Sequence, residues 1–98
     1  MNYPSAKKTI LDIIDDAATE IDVLAGYGDK FTAKTTLAKI KITEGSKAMM
    51  PKRINKAFAE ANWKRVGPLD TVKCQTIGDM IKLVCTRGQI ALPTGEPK

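Results

Sequence analysis

The residues that could do chemistry in this chain are mostly cations. There is no histidine, and only two cysteines, Cys74 and Cys85. The commonest general base and metal ligand is therefore missing. The cysteines form neither a C-x-x-C pair nor a Cys/His cluster, so no zinc site is expected. With no secretory context to support a disulfide, they read as reduced, half-buried thiols. No carboxylate pair, nucleophile elbow or glycine-rich phosphate loop stands out. The expectation is a protein that is not an enzyme and uses no metal and no cofactor.

What remains is charge, and its distribution matters more than the net +5. Residues 12–22 carry Asp12, Asp15, Asp16, Glu20 and Asp22 and no basic residue. Residues 30–87 carry thirteen lysines and arginines against Glu44, Glu60, Asp70 and Asp79. An acidic first element ahead of a basic remainder suggests a polyanionic partner, with the acidic element turned away from it. No apolar run approaches the roughly 20 residues of a membrane span. Acidic residues interrupt the first apolar segment, which therefore does not read as a signal peptide. The expected compartment is the cytoplasm, without membrane association.

The chain length suits one small domain with a modest core. Its expected limits are residues 6–87, with residues 1–5 disordered and 88–98 a flexible tail. Ile10, Ile14, Ala17, Ile21 and Leu24 recur at 4-3-4-3 spacing and predict one helix over 6–25 with Ser5 as its N-cap. That seam suits pairing with a second copy, giving a homodimer through the first helix. Leu37, Ile40 and Ile42 predict a short helix over 33–41. The stretch "TEGS", residues 43–46, reads as a turn. Pro51 suits the first turn of a helix, and Ile54, Ala57, Phe58 and Ala61 give that helix one buried face over 51–61. Trp63 would fall on its exposed side, so the helix should stop at Asn62 and let Trp63 fold back onto the core.

Residues 72–85 read two ways. With period 2 about Gly78-Asp79 they form a hairpin in which Thr76 faces Ile81, Cys74 faces Leu83 and Val72 faces Cys85. With period 3.6 they form a helix capped by Thr76, with Ile77, Met80, Ile81 and Val84 on one side. β-branched content favours the hairpin. Three helices and a hairpin make a mainly α fold with a small β-hairpin, a winged helix-turn-helix.

In that arrangement the helix over 51–61 lies in the major groove. Lys52 and Lys56 would meet phosphates or guanine edges, and Asn55 would bond adenine. Arg53 would reach the phosphate backbone, and Ser46 and Lys47 would hold phosphates at the turn. Lys73 and Lys82 would line the wing, with Lys64 and Arg65 at its base. Phosphate contacts would give salt-sensitive affinity, most naturally for double-stranded DNA.

Two family resemblances attach to these residues. "RINKAFAEANWKR" looks like the R-I-x-x-x-L-x-x-x-G-W-x-R pattern in the C-terminal region of phage and mobile-element primase-helicases and virulence-associated E proteins. Phe58 stands for its leucine and Asn62 for its glycine. This resemblance, over about 31–66, implies a nucleic-acid-binding module, a DNA-binding regulator or replication accessory of phage type. The second is to acyl carrier proteins: "FTAKTTLAKIKI" and the terminal "TIGDMIKLV" resemble theirs in length and phrase. It implies an all-α bundle, with Glu44 where the carrier serine would stand. On that alternative the chain is a non-enzymatic protein-interaction module or inhibitor that binds an acidic protein surface.

Overall fold

The computed structural model describes residues 2–19, 21–59 and 62–92. The fold is mainly α. Its helices are α1 (Tyr3–Ala17), α2 (Val23–Gly26), α3 (Glu44–Ala57), α4 (Pro68–Val72) and α5 (Ile77–Arg87). No strand occurs among the described residues, only isolated bridges.

α1 starts earlier than its sequence suggests. Asn2, not Ser5, is the N-cap: its Oδ1 accepts the Ser5 N–H at 3.0 Å. Pro4 fits the first turn, where its missing N–H costs nothing. Residues 3–5, expected to be disordered, are therefore helical. Ala6, Ile10, Ile13 and Ile14 face inward. The helix ends at Ala17, and Thr19 at φ 30° turns the chain away. The expected helix over 6–25 is thus two helices. The Asp15 carboxylate accepts the N–H groups of Val23 (2.7 Å) and Leu24 (3.1 Å), and Asp22 Oδ1 accepts that of Ala25 (3.0 Å). These aspartates satisfy the first turn of a new helix instead of continuing the old one. Glu20 lies outside the described residues.

Residues 33–41 form turns and a bend, with an isolated bridge from Thr36 to Thr76, not a helix. Thr35 Oγ1 accepts the Thr32 N–H, and Thr36 Oγ1 accepts that of Lys39. Such local bonds compete with helix formation. The backbone is also claimed from elsewhere: Leu37 N–H donates to Gln75 O, Ile77 N–H to Thr35 O, and Gly78 N–H to Ala33 O at 2.8 Å. Leu37, Ile40 and Ile42 still reach the core. A Cβ on Gly78 would sit 2.8 Å from the Ala33 carbonyl oxygen, so this crossing requires glycine.

α3 begins at "TEGS", not at Pro51. Thr43 is the N-cap, its Oγ1 accepting the Ser46 N–H at 3.1 Å. Pro51 therefore lies inside the helix and leaves the carbonyl four residues back, that of Lys47, without an intrahelical donor. The buried Thr71 hydroxyl of α4 supplies the bond at 2.6 Å. α3 ends at Ala57, short of the expected Ala61, which lies outside the described residues. Ala57 is exposed rather than core. Phe58 is buried, and the Trp63 ring stacks on it at 5.0 Å and 17°.

The expected hairpin over 72–85 is instead the end of α4, a short link and α5. Thr76 Oγ1 accepts the Asp79 N–H, and Asp79 Oδ2 accepts that of Thr76, a reciprocal cap. Ile77, Met80, Ile81 and Val84 then face the core at helical spacing. α1 packs against α5 and α3, and α3 against α4. The N-terminal part of the apolar seam faces this bundle: Ile10 and Ile14 are fully buried, while Ala17 and Ile21 are half-buried and Leu24, on α2, is exposed. Beyond α5, the Ile90 N–H bonds Cys85 O and its side chain packs on the core, so the tail expected from 88 is docked at least that far. Residues 93–98 lie outside the described residues.

Candidate interaction face on the third helix

Extending α3 back to Thr43 reorganises its faces. At roughly 100° per residue, Met49, Lys52 and Lys56 fall within about 60° of one another, and Gly45 lies in the same strip. All four are exposed, Met49 at 77%. The opposite side, Lys47, Met50, Ile54 and Phe58, is buried. The strip is bounded on both sides. Arg53, next round the helix, forms an ion pair with Asp16 of α1. On the other flank Asn55 holds the segment leading to α4.

Asn55 is the residue most altered by this geometry. Its Oδ1 accepts from Trp63 Nε1 (2.9 Å) and from the Val66 N–H (2.8 Å), while its Nδ2 donates to Val66 O (2.9 Å). The amide expected to read adenine is occupied in joining α3 to residues 63–66. Lys47, expected to hold phosphate, is only 6% exposed and lies under α4. Ser46 is half-buried and bonded to Thr43 as part of the helix cap.

The other expected site residues are scattered. Lys64 and Arg65 are exposed, but their backbone is fixed to the end of α5. The Lys64 N–H donates to Arg87 O (3.0 Å), and the Arg87 guanidinium donates to Arg65 O (2.6 Å). Arg87 also pairs with Asp70 at 2.8 Å. The Gly67 N–H has the largest effect on the Asp70 carboxyl and, with the charge and hydrogen bond of Arg87, holds it below its usual range, although burial, second in size, opposes them. Lys73 is exposed at the end of α4 and Lys82 on α5, so helices rather than a hairpin carry them. Of the ten residues expected at the site, the structure groups Lys52 and Lys56 on one open face and puts Arg53 at its edge.

No protein-family model, curated protein or solved structure matches the chain. Its own geometry must carry the functional reading. A helix that starts at Pro51 leaves Met49 and Gly45 off its face, so the sequence pattern does not single them out. Thr43 followed by Glu44, Gly45 and Ser46 is the available signal for an earlier start.

The remaining reactive groups are sequestered. Cys74 and Cys85 are free and buried, not half-buried. Burial, then the charge of Asp79, pushes the Cys74 thiol up to about 11, and burial raises that of Cys85. At pH 8 the native protein should react with an aromatic disulfide reagent about 100-fold more slowly than the urea-unfolded chain. Equal rates would show the thiols to be accessible. A hollow of about 410 Å³ is lined by Asp15, Asp16, Thr19, Ile21 and Asp22. Its Asp15 and Asp22 carboxylates already serve the N-terminus of α2, and Asp16 pairs with Arg53. Among the described residues no group of three potential ligands is arranged to hold a metal ion. Nor is any helix there long and apolar enough to cross a membrane.

Proposed function

We propose that this chain is a non-enzymatic protein-interaction module that grips an acidic protein through its basic half. The observation that carries this reading is the state of α3. Its lysines Lys52 and Lys56 point into solvent while Asn55, the base-reading amide, is held inside the fold. A helix that reads DNA needs such groups outward at base edges. The helix at Ile77–Arg87 supports the same conclusion, since it stands where a wing would have to be. The order of elements favours the carrier-like bundle over the winged fold: a long first helix, a long connector that holds only the four-residue α2, then α3, the short α4 and α5. Glu44 in place of the serine leaves no hydroxyl there for a carried group, so the bundle is read as a recognition scaffold.

The test is a pair of titrations at 150 mM salt, one with poly-L-glutamate and one with a 20-base-pair DNA duplex. The polypeptide should bind, and the double substitution Lys52→Glu/Lys56→Glu should weaken it at least tenfold. The duplex should bind no tighter than the 10⁻⁴ to 10⁻⁶ M of non-specific association. Submicromolar binding to the duplex, with steep loss as salt rises, would overturn the proposal in favour of nucleic acid.

A further inference from the structure

We infer that the outward strip of α3, Gly45–Met49–Lys52–Lys56, is a docking track for a single acidic amphipathic helix of the partner, with Met49 as its apolar anchor. This inference rests on the protein-binding reading and names the occupant of that surface.

Three features of the strip specify the occupant. The first is charge and spacing. Lys52 and Lys56 are one turn apart, about 6 Å along the axis. Glutamates at positions i and i+4 of a second helix lying alongside have the same rise and would meet both ammonium groups. Both lysines are exposed, and no acidic residue of α3 lies on this strip: Glu44, the one acid of α3, falls far round the helix on the side of Lys47 and Pro51. The second is width. Arg53 joined to Asp16 closes one side, and Asn55 joined to Val66 and Trp63 closes the other. What stays open is a lane on one helix, about 16 Å from Gly45 to Lys56. That length takes about three turns of a partner helix.

The third feature is the pairing of a glycine with a methionine. Met49 is one of the two most exposed large hydrophobic residues of the described chain, equalled by Leu69. Its unbranched thioether adapts to irregular apolar pockets. Gly45, one turn earlier, has no structural need to be glycine. A Cβ there would meet only Thr43 Oγ1, at 3.8 Å, an ordinary contact. Its φ is not in the left-handed region. Alanine is the better helix former, so the fold alone would favour alanine. A missing side chain beside a protruding one is what lets two helix axes approach closely. Gly45 admits the partner backbone, Met49 enters its apolar stripe, and the lysines fix register and polarity.

The track is tested with two designed helical peptides. One carries glutamates at i and i+4 flanking a leucine stripe. The other has the same glutamates with serine in place of leucine. The leucine peptide should bind the wild-type protein at least tenfold more tightly than the serine peptide. Met49→Ala should remove about tenfold of that affinity while leaving poly-L-glutamate binding unchanged. Gly45→Ala should keep or raise the melting temperature, and Gly45→Gln should lower affinity for the leucine peptide about tenfold with the fold intact by circular dichroism. If Met49→Ala and Gly45→Gln both bind like wild type while Lys52→Glu/Lys56→Glu does not, the track is wrong and the acidic-partner reading stands. If neither peptide nor poly-L-glutamate binds, both fail.

Discussion

Replacing Asn55 with alanine is expected to destabilise the protein by about 3 kcal/mol, the largest effect of any polar substitution on α3. The asparagine makes three hydrogen bonds through one amide, to the Trp63 indole and to both backbone groups of Val66. Val66 is buried and Trp63 half-buried, so water replaces these partners poorly. Truncation leaves two donors and an acceptor without their bonds, each worth about 1 kcal/mol or more. It also frees the Trp63 ring from one restraint, leaving its stack on Phe58 and its packing against the core. Trp63 is the sole tryptophan. Its emission should therefore shift to the red in the native state, and the urea midpoint should fall in parallel. Asn55→Asp keeps the acceptor but loses the donor to Val66 O, and should cost less than alanine. A native-like midpoint for Asn55→Ala would mean that this joint does not hold the α3–α4 connection.

The second large effect is expected at Thr71. Thr71→Val keeps shape and volume but removes the hydroxyl, and should cost about 2 kcal/mol. The hydroxyl donates at 2.6 Å to the Lys47 carbonyl, the one that Pro51 cannot serve because proline has no N–H. A second oxygen, Pro68 O, lies at 3.1 Å. The diagnostic experiment is a double-mutant cycle with Pro51→Ala. Alanine restores an N–H facing Lys47 O, so the loss from Thr71→Val should shrink by about 1 kcal/mol in that background. Additive effects in urea denaturation would reject the idea that α4 completes the hydrogen bonding of α3.

These two residues also mark where the sequence stopped being readable. Local signals were legible: the 4-3 spacing of Ile10, Ile14 and Ala17, the burial of Ile54 and Phe58, and the outward side of Lys52 and Lys56. Each depends on neighbours within two turns. The helix at α5 was legible as well, in the cap formed by Thr76 and Asp79 and the spacing of Ile77, Met80, Ile81 and Val84. The β-branched content and the paired runs about Gly78-Asp79 favour a hairpin instead. Gly78 is there for another reason, the close approach of Ala33, which no local pattern announces. The roles of Asn55, Lys47 and Thr71 were hidden in the same way. Asn55 looks like any polar residue on an exposed face until Val66, eleven positions on, closes against it. Lys47 is covered by an element that begins at Pro68. The tertiary partner decides such cases, and the partner is remote in sequence.

The packing of α1 against α5 has a consequence for biosynthesis. Among the described helices, α1 has its greasy side sheathed by one synthesised well after it. While the ribosome is still extending the chain, Ile10, Ile13 and Ile14 have no lid, and closing the ring of contacts demands a long-range encounter. A nascent chain stalled before Ile77 would carry sticky, uncovered surface and be a natural client for a chaperone.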